Sequence, residues 1–180
     1  MIYAFLAQGF EETEAVTVID ILRRAEFDVV TVGIGDNLIR GSHGIIVATD
    51  TQDSLIAFDD SVDMIFLPGG MPGTLNLEKS AVVQKAIDFC IENDKYVAAI
   101  CAAPSILGRR GDLDGKKACC YPGFEQELKG AEVTENAVTV DGKIVTSRGP
   151  ATALNLGLKL VELLTSAERS KILGDSLICQ

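Results

Sequence analysis

The chain has 180 residues, 47% of them hydrophobic, and carries 26 acidic against 16 basic side chains for a net charge of −10. That length and apolar content suit one globular domain over residues 1–180 with a sizeable core, and exclude a disordered chain. The acidic balance, with no basic run, argues against nucleic acid as a partner. The longest central apolar stretch, Tyr96 to Leu107, is broken by Pro104 and is shorter than the roughly 20 residues of a membrane span.

The opening MIYAFLAQGF has no basic n-region and no small-residue cleavage site, so no signal peptide is read and a cytoplasmic location is expected. Within it, Ile2 to Ala7 is a short apolar run suited to a buried strand. Glu11 to Arg24 has helical spacing, with Ala15, Val18, Ile19 and Leu22 on one face. Asp28 to Val32 and Ile45 to Ala48 read as strands, the second after a Gly-rich turn. Asp63 to Leu67 is a buried strand ending in Pro68-Gly69-Gly70. Ala81 to Glu92 reads as a helix and Tyr96 to Ile100 as the most apolar strand. A helix over Ala102 to Gly108 follows at once. Val138 to Val140 and Lys143 to Thr146 flank Asp141-Gly142, which signals a type I′ hairpin. Ala151 to Leu164 is a long amphipathic helix, and Ala167 to Leu173 a short last one. The alternation predicts an α/β fold, with helices packed on a mostly parallel sheet. The strand-ending turns at Gln8-Gly9, Pro68-Gly69-Gly70 and Cys101 are candidates to meet at one site, because open α/β sheets bind ligands beyond the carboxyl ends of their strands.

The five cysteines are odd in number, widely spaced and without a CxxC pair, so they do not make a disulfide framework. With one histidine, His43, a Cys/His zinc site is not expected, and no metal or cofactor is assigned. Cys90 continues an apolar helix face. Cys119 and Cys120 are adjacent in an apparent strand, which would point them to opposite sides, and Cys179 is expected to be mobile near the terminus.

Cys101 differs from these. A fully apolar strand runs straight into a helix at Val97-Ala98-Ala99-Ile100-Cys101-Ala102-Ala103-Pro104, so the residue at the junction must bend sharply. Small alanines leave room for a ligand, and Pro104 suits a first helical turn. Most lone cysteines are small buried hydrophobes. At a helix start, however, free N–H groups and the macrodipole favour a thiolate and could hold an oxyanion. Glu11 and Glu12 suit the positive end of the first helix, and the same account would serve Glu14. Glu14, four residues before Val18, also borders the apolar face, where partial desolvation raises a carboxyl pKa.

The segments Gly9-Phe10-Glu11-Glu12-Thr13-Glu14, Leu67-Pro68-Gly69-Gly70, Ala99-Ile100-Cys101-Ala102-Ala103-Pro104 and Thr146-Ser147-Arg148-Gly149-Pro150, taken in order, resemble the ThiJ/PfpI superfamily, in its DJ-one/YajL-like branch. The resemblance implies a flavodoxin-like three-layer sandwich of the class I glutamine amidotransferase type, a homodimer, and a cysteine that oxidises to sulfinic acid. It implies that Glu14 contacts Cys101 and that the backbone N–H groups of Gly70 and Ala102 form an oxyanion hole, with Gly69 allowing close backbone approach. It also implies that Arg24 approaches the partner subunit's cysteine pocket. Arg148 has two readings, a pair with a carboxylate near the subunit contact or an exposed charge. Ala102 and Tyr121 stand where related branches carry a partner histidine, and His43 lies in a Gly-flanked loop that reads as exposed. A peptidase triad is therefore disfavoured. Tyr121 lines the pocket, donates a hydrogen bond, or is a packed aromatic. Two functions follow: an enzyme acting on small reactive carbonyls or early glycation adducts through Cys101 and Glu14, or a non-enzymatic peroxide sensor or redox-regulated chaperone.

Overall fold

A computed structural model of the chain describes residues 1–179. Its centre is a seven-stranded sheet built from β1 (Ile2–Leu6), β2 (Val29–Gly33), β5 (Thr51–Gln52), β6 (Met64–Leu67), β7 (Tyr96–Ile100), β10 (Val138–Asp141) and β11 (Ile144–Ser147). The order is β10-β11-β7-β6-β1-β2-β5. Every pairing is parallel except β10 with β11. The apolar runs of β1, β6 and β7 follow from this position, since a central parallel strand is covered on both faces.

Alternate residues feed two cores. Tyr3, Phe5, Ile65, Leu67, Val97 and Ala99 pack against α2 (Gly73–Lys79), α3 (Ala81–Glu92) and α4 (Pro104–Arg110). Ile2, Ala4, Leu6, Met64, Phe66, Ala98 and Ile100 pack against α1 (Glu12–Arg24) and α5 (Ala153–Leu164), with α6 (Ala167–Ser176) at the margin. The helices therefore cover both faces, giving the expected flavodoxin-like sandwich. Gly157 lets α1 and α5 approach, because a Cβ there would lie 2.6 Å from Ile21 Cδ1. No helix among the described residues is long and apolar enough to cross a membrane.

Several local expectations change. The helix after Cys101 starts at Pro104 rather than Ala102, and Cys101–Ala103 form a turn. In the β10–β11 hairpin Asp141 pairs with Ile144, so the loop is Gly142-Lys143 rather than Asp141-Gly142. Of these two loop residues only Gly142 has a positive φ, at 59°, whereas a type I′ turn needs two. The last stretches also shift: Pro150–Thr152 is a 3-10 turn preceding α5, and α6 runs on to Ser176. Several elements escaped the sequence: α2, β5, the strand β9 (Glu132–Val133), and the strand β3 (Leu38–Arg40), which pairs antiparallel with β4 (Ile46–Ala48). Cys119 and Cys120 follow the two-residue strand β8 (Lys117–Ala118) rather than lying in it; both are buried and free. Cys179 is half-buried, and its N–H donates to Gly174 O.

Candidate active site

The loops after β1, β6 and β7 touch at the carboxyl edge of the sheet. Glu11 N–H donates to Gly69 O at 2.9 Å, and Gly73 N–H donates to Gly9 O at 3.1 Å. Beside them Cys101 sits at φ 65°, in the left-handed region that non-glycine residues rarely enter. Two backbone hydrogen bonds hold it there. Its N–H donates to Ser147 O at 3.0 Å, and its carbonyl accepts from Tyr121 N–H at 2.8 Å. The sulfur is thereby lifted off the strand axis while the side chain stays half-buried.

Glu14 reaches the sulfur from α1. Its residue is 0% exposed. Oε2 accepts from Gly69 N–H at 2.9 Å, and Oε1 is buried without a hydrogen-bond partner of good geometry. Burial pushes this carboxyl up to about 7, with the nearby Glu11 charge adding to the rise. The Cys101 thiol and the Gly69 N–H act in the opposite direction. Gly69 must be glycine for the three groups to meet, since a Cβ would lie 2.6 Å from Cys101 Cβ and 2.7 Å from Glu14 Oε2.

The thiolate expected from the helix start is not what the surroundings favour. Burial first, and then the Glu14 carboxylate, push the Cys101 thiol up to about 12, while the N–H groups of Gly70 and Ala102 work the other way. Those two N–H groups address the sulfur itself. The local helix effect is outweighed by burial and by a like charge 87 positions away in sequence. Between about 7 and about 12 the pair carries one proton, resting on sulfur. Its transfer to Glu14 would leave a thiolate facing two N–H donors, an arrangement that suits general-base activation of a nucleophile without histidine.

The other candidates fall at varied distances from this pair. Tyr121 is 46% exposed; together with Arg148, Gly149 and Thr152 it lines a groove beside the elbow. Arg148 makes no ion pair among the described residues, and its Nη1 approaches only Glu135 O, at 3.4 Å. Arg24 lies at the far end of α1, ten residues or about 15 Å along the helix from Glu14, and pairs with Asp20 at 2.6 Å. His43 is exposed, as its loop predicts, and its Nδ1 lies 3.0 Å from Glu12 Oε2.

Glu12 is the residue that sequence reasoning missed. It does more than suit the helix end. It is 6% exposed, and its Oε1 accepts from the N–H groups of His43 at 2.8 Å and Ile45 at 3.3 Å. Burial alone would raise its pKa, but the hydrogen bonds from His43 and Ile45 outweigh it and hold the carboxyl below its usual value. The only signal was the small-residue run Gly41-Ser42-His43-Gly44, where a side chain at Gly41 would collide with Glu12. Glu11 caps the helix by accepting from Glu14 N–H at 2.6 Å. The carboxylates of Glu11 and Glu12 and the His43 ring come close enough to offer three ligands to a metal ion, a grouping the sequence analysis did not anticipate.

Comparison with known proteins agrees with the motifs. The DJ-1/PfpI family model matches residues 1–163. Protein DJ-1 homolog B of Arabidopsis thaliana is 40% identical over 168 residues; the match covers 92% of this chain but 38% of that relative, so the chain spans about two fifths of its length. The glutathione-independent glyoxalase DJR-1.2 of Caenorhabditis elegans is 27% identical over 164 residues, covering 91% of this chain and 87% of the relative. Among solved structures, oxidized Toxoplasma gondii DJ-1 superposes with a TM-score of 0.94 at 36% identity, covering 98% and 97% of the two chains. With a family match over nearly the whole length and the same fold in its relatives, the chain belongs to the DJ-1/PfpI family.

Proposed function

We propose that the protein converts small 2-oxo aldehydes, and early glycation adducts derived from them, through Cys101 assisted by Glu14. The observation that carries this reading is the buried meeting of a carboxyl near 7 with a thiol that has no histidine beside it. Glu14 takes the thiol proton as sulfur adds to the aldehyde carbon. The alkoxide settles toward the Gly70 and Ala102 N–H groups and recovers the proton from Glu14, giving a hemithioacetal. Glu14 then moves the former aldehyde hydrogen, as a proton, from C1 to C2, while the proton of the C1 hydroxyl passes to the C2 oxygen. The resulting thioester is hydrolysed by one water, releasing a 2-hydroxy acid and the thiol. Overall one water is added and no external oxidant is needed. The glyoxalase name of the Caenorhabditis relative supports the same chemistry. Purified protein is expected to release lactate from methylglyoxal without glutathione, and no release overturns the reading.

A second reading, a peroxide sensor, is favoured by the two N–H donors already on the sulfur, which suit the oxygens of a sulfinate. Its expected mark is oxidation of Cys101 ahead of Cys90 under mild peroxide, read by peptide mass spectrometry. Cys90 has a thiol raised equally, to about 12, but is 0% exposed. Equal rates would remove this reading.

The working unit we propose is a homodimer. Val16 on the outer side of α1 and Ile45 and Ile46 on the neighbouring hairpin are 50%, 58% and 51% exposed, an apolar surface that a second copy would cover. Sedimentation at micromolar concentration is expected to give twice the chain mass, and a monomer would refute it.

A further inference from the structure

The side chains of Glu11 and Glu12 are only 12% and 7% exposed, and the one base within ion-pair distance of either, among the described residues, is His43. A single imidazolium would balance one of these two charges. Carboxylates buried side by side call for further positive charge. The start of α1 explains part of the arrangement, because each carboxylate gives one oxygen to backbone N–H groups. Glu11 Oε2 accepts from Glu14 N–H at 2.6 Å, and Glu12 Oε1 accepts from the N–H groups of His43 at 2.8 Å and Ile45 at 3.3 Å. The other two oxygens, Glu11 Oε1 and Glu12 Oε2, turn to one atom, His43 Nδ1, at 3.9 and 3.0 Å.

That division of labour is the one a metal centre needs: outer hydrogen bonds fix each carboxylate, and one oxygen of each stays free to ligate. The three ligand atoms lie within 4.8 Å of one another. Zinc bonds of about 2.0–2.1 Å set neighbouring ligands of a tetrahedral site about 3.4 Å apart. The distances of 3.0 and 3.9 Å bracket that value, and the His43 ring, 72% exposed, can turn to even them out. A hydrogen bond from the ring explains the contact to Glu12 Oε2, which also receives Ser42 Oγ at 3.3 Å. It leaves Glu11 Oε1 with no donor among the described residues. Gly41 lets the loop close on this point, since a Cβ there would overlap the Glu12 carboxyl.

We propose that Glu11, Glu12 and His43 form a site for one zinc ion, which clips the loop over residues 41–45 to the start of α1. The two carboxylates neutralise the ion, and the imidazole selects a borderline transition ion over magnesium or calcium. Three protein ligands leave a fourth position for water. The site lies one loop residue from the cysteine pair: Glu11 N–H donates to Gly69 O, and Gly69 N–H donates to Glu14 Oε2. Neither Cys101 nor Glu14 is a ligand, and the inference stands apart from the carbonyl reading.

The test is calorimetric titration of the full chain with zinc chloride at neutral pH in excess magnesium, alongside thermal unfolding with and without zinc. One zinc per chain is expected, together with a higher unfolding temperature. His43→Ala removes an exposed ring, and Glu11→Gln keeps the acceptor that caps α1, so both should fold; circular dichroism without zinc should match the wild type. Changes to outer partners of a metal already cost at least about tenfold in affinity, so loss of a ligand in either variant should cost no less. Cys101→Ser should bind as the wild type does. No binding by the wild type overturns the site, as does unchanged affinity in either ligand variant. Binding lost in Cys101→Ser also overturns it, because the ion would then sit on the thiol.

Discussion

Cys101→Ser is expected to lower lactate release from methylglyoxal by at least about a hundredfold. The two side chains differ by one atom, and the carbon framework that tolerates φ 65° is the same, so the turn should survive. The chemistry should not. Glu14 near 7 already faces a thiol raised to about 12, and an alcohol in the same buried place holds its proton far more tightly than that thiol. Thermal unfolding of the variant should match the wild type to within a few degrees, which separates loss of chemistry from loss of fold. Turnover at wild-type level would mean that Cys101 is not the nucleophile.

Glu14→Gln should act on both rate and stability, with opposite signs at high pH. In the proposed mechanism the Glu14 carboxylate takes the thiol proton, so wild-type turnover should rise as pH passes through about 7. The glutamine variant should run about a hundredfold slower with that rise absent. Stability follows from linkage. The folded protein raises this carboxyl from 4.5 to about 7, so it favours the protonated form. The stabilisation is complete below about pH 4.5 and is lost as pH rises through 7; the shift corresponds to about 3 kcal/mol. Glutamine is neutral throughout and can still accept from Gly69 N–H. The variant should therefore gain on the wild type in urea denaturation between pH 5 and pH 8.5, approaching that 3 kcal/mol. A constant difference across this range would show that Glu14 does not titrate there.

The sequence revealed most where local pattern and tertiary role coincide. Tyr96 to Ile100 is apolar at every position because β7 is covered on both faces, and the abrupt change at Cys101 marks the strand end. The run Met64–Leu67 before Pro68-Gly69-Gly70 was legible for the same reason. What stayed hidden depends on partners remote in the chain. β3 is three residues with Leu38 and Arg40 exposed, and only its pairing with β4 makes it a strand. The short helix α2 opens on a glycine and has no capping side chain, so no start signal was visible. Glu12 has the look of a surface acid until the loop at Gly41–Ile45 folds over it. The Cys101 thiol was misjudged because the helix start is a local feature, whereas the burial and the opposing carboxylate come from α1.

The two backbone bonds that pin Cys101 at φ 65° have a thermodynamic consequence. A non-glycine residue held in that region carries roughly 1–3 kcal/mol of conformational strain. Here the strain is imposed by β11 and by the segment at Tyr121 as the chain folds, long before a substrate arrives. The entropy of aiming the sulfur is thus lost once in the lifetime of each molecule, and no part of it recurs in the barrier of each reaction cycle.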